Sequence, residues 1–489
     1  MTVDSAHDGP PEEGGLDRPA EVSTRPDVIA DARLDARADA EDALPPDVPS
    51  APLAPGWARS LGGSSRTSAS AVAVDPMGNV YVAGHFQESM TLGSTRLTTT
   101  GYGNFLASFT SAGALRWLRS LGSSDQQRGT GIAALPGGGV LFTGGAVGVV
   151  DFGCGPTGSN STQVSVALVS LNADGTCRWS RRYEGFGPGI GYDVAVDRTG
   201  NSYVVGHQSG STSFGGPRVQ GVGTFGFVAS FTPAGEHRWS QAYSGAGTSA
   251  CAAVAVQPSG DVLVLVESID ALDLGAARLT MRSSFFAAVA LDRDGAYRWH
   301  SVGSEDAGGT LRGWSVAAAS ENTWLLGGIH QGTLRLGARR LASLTAEQGF
   351  HVQLGGDGTV AQVVALAPMA SREYTTVNAV AADASGRRFV GGASLAPSGM
   401  RLGALELSSR GGMDAWWASL DVAGVPRRAR VMGTGPVSAE SIEALAVGPD
   451  GALYAAGTMR GNIAPYMVAC AVERGEFGRA QRARGAWSG

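Results

Sequence analysis

Apolar residues in this chain fall in short alternating runs divided by tight polar turns. Residues 71–83 read AVAV, DPMGN, VYVA. Two apolar runs flanking a turn with Pro and Gly predict a β-hairpin. A second hairpin follows in NFLASFTSAGALRWLRSL, turning at SAG. The unit therefore has four main strands. The same order recurs in GIAALPGGGVLFTGG with VALVSLNADGTCRW, and in DVAVDRTGNSYVVGH with FVASFTPAGEHRW. It recurs again in AAVAVQPSGDVLVLV with FAAVALDRDGAYRW, and more loosely in three later copies. Trp57, Trp117, Trp179, Trp239 and Trp299 mark the period, about 60 residues, while Gln362 and Arg428 take that place later.

Seven such units predict an all-β fold, a seven-bladed β-propeller over residues 56–489. The first strand of each unit is built from Ala, Val and other small residues, as AVAV, IAAL and AVAA show. Small side chains suit a hub where blades converge. The Trp-bearing fourth strand suits the rim, where blades splay and a large ring fills the gap. Outer-strand segments number eight when WARSLGG and FGRAQRARG are both counted. Residues 57–62 are expected to supply the outer strand of the last blade, which would close the ring and hide its edges; the alternative is that FGRAQRARG does this and residues 57–62 pack nearby.

Charge changes the picture at the N-terminus only. Residues 1–50 hold 13 acids and four arginines, and the remaining chain is close to neutral. Residues 1–55, rich in Asp, Ala and Pro, have too few large apolar side chains to offset chain entropy and are expected to be a disordered leader. The 73 glycines fit many tight turns. All 37 basic residues are arginine, and no basic patch of nucleic-acid type stands out. No run of 18 apolar residues marks a transmembrane segment.

The pattern A-V-A-V-D-x-x-G-N-V-Y-V-A-G, then L-G, F-L-A-S-F and G-x-x-x-W, resembles the bacterial β-propeller repeat known as the SBBP repeat, a relative of NHL-type repeats. The resemblance covers about residues 57–485. It implies a secreted or surface-attached protein, including the lipoprotein kind found in myxobacteria with Asp/Ala/Pro-rich leaders. An export signal upstream of the present start is expected on that basis. The resemblance implies no particular activity.

Candidate chemistry is sparse. Propellers usually bind at one mouth of the central channel, so residues just before the inner strands are the first candidates. Asp193, Asn378 and Glu443 are the polar ones expected to contact a ligand there. His85, His207 and His330 sit near equivalent places but in non-adjacent repeats, too far apart for metal bonds of about 2 Å. Asp75, Asp197 and Asp383 each offer one carboxylate, where calcium takes about six to eight oxygens, and read better as turn-capping groups. Cys154 and Cys177, 23 residues apart, are a candidate disulfide, which would fit an oxidising compartment. No catalytic residue, metal site or cofactor is assigned. The expected function is a non-catalytic extracellular or cell-surface scaffold, a monomer, whose partner is an unknown protein or glycan. The competing reading is a lyase or hydrolase working at the channel mouth.

Overall fold

The computed structural model describes residues 57–60, 62–63, 67–123, 131–305, 309–343, 347–409, 411–433, 439–460 and 467–473. The leader at 1–55, most of GSSDQQRGTG, the segment FGRAQRARG and the side chain of Cys470 lie outside them. Within the described residues the repeat folds as an antiparallel sheet in simple chain order. The unit starting at Gly189 shows it best, with strands Gly189–Val196, Ser202–Thr212, Val219–Phe231 and His237–Tyr243 side by side. Val194 faces Val204, Val204 faces Ala229, and Ala229 faces Ser240.

The turn motif explains its own sequence. Asp197 Oδ1 accepts the backbone N–H groups of Thr199 and Asn201 at 2.9 Å each, and its Oδ2 accepts the Tyr203 hydroxyl at 3.2 Å. Asp75 does the same for Met77, Asn79 and Tyr81. Asp383 caps Ser385 and Arg387 likewise. These carboxylates are spent on their turns. The Tyr81 and Tyr203 rings then lean on Trp117 and Trp239, centroids 6.0 Å apart in both cases.

The expectation of seven uniform four-stranded units needs correction. Five sheets have four or five strands, those opening at Thr67, Gly131, Gly189, Tyr374 and Ala439. The sheets opening at Ser249 and Leu311 have six strands each, and Val150–Asp151 with Pro156–Thr157 form a separate ribbon. The extra strands have a local cause. Thr333–Leu336 and Arg339–Ala342 form the tip of the hairpin between the second and third strands of one unit, and this tip pairs with the outer strand of the unit before it. Met400–Leu402 and Leu405–Leu407 repeat the arrangement. Elsewhere the same tie is shorter, as in the bridges Gly185 to Thr212 and Ser244 to Asp273.

Inner strands pack in sequence. Thr67–Val74 lies against Gly131–Ala134, which lies against Gly189–Val196, then Ser249–Val256, Leu311–Ser320, Ala379–Ala382 and Ala439–Val447, and the last returns to Thr67–Val74. Apolar clusters sit between neighbouring sheets. One joins Val82, Phe105 and Phe109 to Tyr454 and Ala456, which belong to the last unit. Another joins Val205 and Val228 to Val264 and Val289. Ala69, Ala253 and Ala379 are all buried on inner strands, as the small-residue pattern requires. The N-terminal strand Ala58–Ser60 pairs with Met467–Glu473, Ala58 facing Cys470.

Each rim tryptophan joins its sheet to the next. The indole N–H groups of Trp57, Trp117 and Trp179 donate to the carbonyls of Ser111, Ala173 and Pro233 at 2.9 Å each, and Trp239 donates to Arg293 at 3.0 Å. The acceptors all sit in the next unit's turn between third and fourth strands. Trp299 follows suit with Gly356, and Gln362 reaches Gly424 less closely, at 3.5 Å.

Candidate functional site

The three channel residues lie within or beside the inner strands rather than ahead of them. Five inner strands lose register near their middle, between Ala69 and Ala71, Gly191 and Asp193, Cys251 and Ala253, Gly313 and Ser315, and Ile442 and Ala444. Glu443 is the residue passed over in its strand, and Asn378 falls in the matching break between Tyr374–Thr375 and Ala379–Ala382. Asp193 sits one position later.

Two of these residues tie adjoining sheets. Asp193 is half-buried; its Oδ1 accepts Val194 N–H at 2.8 Å and its Oδ2 accepts Val254 N–H, from the next sheet, at 3.0 Å. Burial pushes its carboxyl up to about 6, against the pull of those N–H groups. Asn378 is buried and donates its side-chain amide to the carbonyl of Ile442 at 2.8 Å. That brings Asn378 beside Glu443, whose Oε1 meets Ser441 Oγ at 2.5 Å. Asp193 belongs to a different part of the ring. Ser315 extends the pattern by accepting Val380 N–H at 3.2 Å. Glu267 accepts Gly313 N–H at 3.1 Å and lies 3.6 Å from Arg312; burial raises its pKa despite that arginine. An inner strand has an edge with no neighbouring strand, and these side chains satisfy N–H groups along it.

The histidines do not converge. His207 Nδ1 lies 2.6 Å from the Tyr192 hydroxyl. His330 is buried and shifted down to about 4 by desolvation. Among the described residues no group of three His, Cys, Asp or Glu side chains could hold a metal ion. No described helix is long and apolar enough to cross a membrane. The sulfurs of Cys154 and Cys177 are bonded, with Cα atoms 5.4 Å apart, which ties the Val150–Thr157 ribbon to the outer strand of its own unit.

Sequence reasoning passed over a depression of about 540 Å³ lined by Phe186, Gly210, Ser211, Gln220, Gly221, Val222 and Ser244. It lies where the chain leaving Tyr183 meets the long hairpin of the following sheet. Its floor is fixed by backbone and buried amide bonds. Phe186 N–H donates to Ser211 O at 2.8 Å, Ser209 N–H to Pro188 O at 2.9 Å, and the buried Gln208 side chain to Gly187 O at 2.9 Å. Phe186 is 76% exposed and Val222 is 69% exposed, although both are large and apolar. The Arg218 guanidinium stands 5.0 Å from the Phe186 ring centre and donates to Ser211 Oγ at 3.0 Å. One signal could have revealed the site. YEGFGPG aligns with YSGAGTS in the next repeat, so Phe186 stands where the repeat has Ala246.

This architecture is that of a β-propeller repeat protein. Residues 56–85 match the family model for the SBBP β-propeller repeat. None of the curated proteins matches the chain. Among solved structures, the chain is similar to the WD40 β-propeller domain of Doa1 at 7% identity, covering 85% of this chain and 96% of that one, with a TM-score of 0.39. It is also similar to puromycin hydrolase at 13% identity, covering 80% of this chain and 58% of that one, with a TM-score of 0.33.

Proposed function

We propose that the chain is a seven-bladed propeller that works outside the cytoplasm, in the secreted or lipoprotein manner, as a binding scaffold without bond chemistry of its own. The seven-blade reading treats both six-stranded sheets as blades carrying a neighbour's hairpin tip. What supports it is the cyclic packing of inner strands and the recurrence of the same tip-to-rim tie as single bridges elsewhere. The bonded Cys154 and Cys177 favour an oxidising compartment.

The observation that carries the binding reading is the preformed depression rimmed by Phe186 and Val222. Burying such side chains in the core would gain roughly 1.5–3 kcal/mol each, yet both are held in solvent on a rigid floor. The test is retention of the purified chain on immobilised envelope material, compared with a Phe186→Ala/Val222→Ser variant of unchanged melting temperature. The variant should be retained several-fold less. Equal retention of the two proteins counts against the reading.

A further inference from the structure

Resting on that reading, we infer that the depression takes a sugar bearing an acidic group, its ring face on Phe186 and its anion on Arg218. Size comes first. The hollow, about 540 Å³ and wide open to solvent, is lined by seven residues. A stable protein interface needs about 800 Å² from each partner, and here only two large apolar side chains flank the hollow.

The lining narrows the chemistry. Phe186 offers an exposed flat face on which the C–H side of a pyranose can lie. Around it stand Gln220, Ser211 and Ser244 together with the bare backbone of Gly210 and Gly221, a set suited to hydroxyl groups. Arg218, which stands beside the lining residues and touches two of them, Phe186 and Ser211, supplies the charge. Its Nη1 is anchored on Ser211 Oγ at 3.0 Å and its guanidinium carbon is positioned 5.0 Å from the Phe186 centroid. The fork of N–H donors matches a carboxylate or sulfate in a paired geometry. Glu184, the carboxylate nearest to Phe186 in sequence, accepts Ser159 N–H through its Oε1 at 2.7 Å. Hydroxyl recognition alone would not call for a cation held over the ring. A uronic acid and a sulfated sugar share the required anion, and the experiment separates them.

The test uses the full chain in calorimetric titrations with a uronate tetrasaccharide, a sulfated tetrasaccharide and a neutral tetrasaccharide. One or both acidic sugars should bind, more weakly as salt rises, and the neutral sugar at least tenfold more weakly. Arg218→Gln should remove that preference and Phe186→Ala should weaken all sugars. Both positions are exposed, so unchanged melting temperatures will show that the fold is intact. Equal affinity for neutral and acidic sugars, or an acidic preference that survives Arg218→Gln, overturns the inference. If no sugar binds but envelope protein is retained through Phe186 and Val222, the acidic-sugar inference fails while the scaffold reading stands. If neither is retained, both fail.

Discussion

The rim latch makes a quantitative prediction. Gly295 lies in a turn at φ +87°, a conformation that L residues avoid, and a Cβ built there would stand 2.8 Å from Trp239 Cδ2 and 3.0 Å from Cε2. Gly295→Ala therefore meets two costs. The left-handed backbone costs about 1–2 kcal/mol, and overpacking against the indole costs about 1–3 kcal/mol, giving a loss of about 2–5 kcal/mol. Trp239→Leu removes the indole bond to Arg293 O, worth about 1 kcal/mol, along with part of the ring's packing. In the double variant the backbone cost remains but the clash has no partner. The two changes should thus be less than additive, by at least about 1 kcal/mol. Urea unfolding followed by far-ultraviolet circular dichroism measures all four proteins without using the tryptophan as probe. Additivity within about 0.5 kcal/mol, or a neutral Gly295→Ala, would refute the latch. The same cycle at Gly235 and Trp179 provides a replicate, because there too the Cβ would stand 3.0 Å from the ring.

Two further predictions concern titration and sulfur chemistry. Asp193 is shifted up to about 6, so its folded form binds a proton more tightly than the unfolded chain; its contribution is fully present below about pH 4 and is lost as pH rises through 6, by at most about 3 kcal/mol. His330 and His351 are pushed down to about 4 by burial, so their contribution runs the other way and is lost as pH falls from about 6.5 to 4. Asp193→Asn should leave the histidine slope less opposed, making urea midpoints fall more steeply between pH 6.5 and 4.5; an unchanged pH profile would count against this assignment. Thiol titration of the denatured, unreduced chain should find two of the four cysteines free, and Cys154→Ser should destabilise by about 3 kcal/mol for a closed loop of this length. Four free thiols would show that the bond does not form in the protein.

Much of the fold was legible because the hairpins are local. AVAV, DPMGN and VYVA carry both strands and the turn, and Asp75, Asn79 and Tyr81 are joined by side-chain bonds spanning six residues at most. The Trp spacing was legible for a different reason. Each indole meets a turn 54–57 residues away, so the latch imposes the repeat length on the sequence. What escaped notice were contacts made by few residues across sheets. Thr333–Leu336 and Arg339–Ala342 are only four residues each, and the first of them pairs with an outer strand that lies about 30 residues earlier in the chain. Nothing in TLRL or RRLA specifies that partner.

The site was less legible because polarity at a propeller hub has two origins that look alike in sequence. Asp193 and Ser315 occupy the same register place, just past the bulge, and each accepts an N–H from the inner strand of the following sheet, Val254 for one and Val380 for the other. Ala71, Ala253 and Ala444 hold the same place in other units, so an acceptor is one way of filling it, whereas a ligand would call for side chains whose polar atoms remain available. Asp193 spends both carboxylate oxygens on backbone, and Asn378 spends its amide on Ile442. A polar residue on an inner strand is therefore weak evidence for a site. Phe186 is stronger evidence, because the next repeat has Ala246 at this place and a ring left 76% exposed gains little stability from burial. The informative departure is the residue whose type opposes what its own repeat demands, and here it stands on the loop face, with Arg218 beside it.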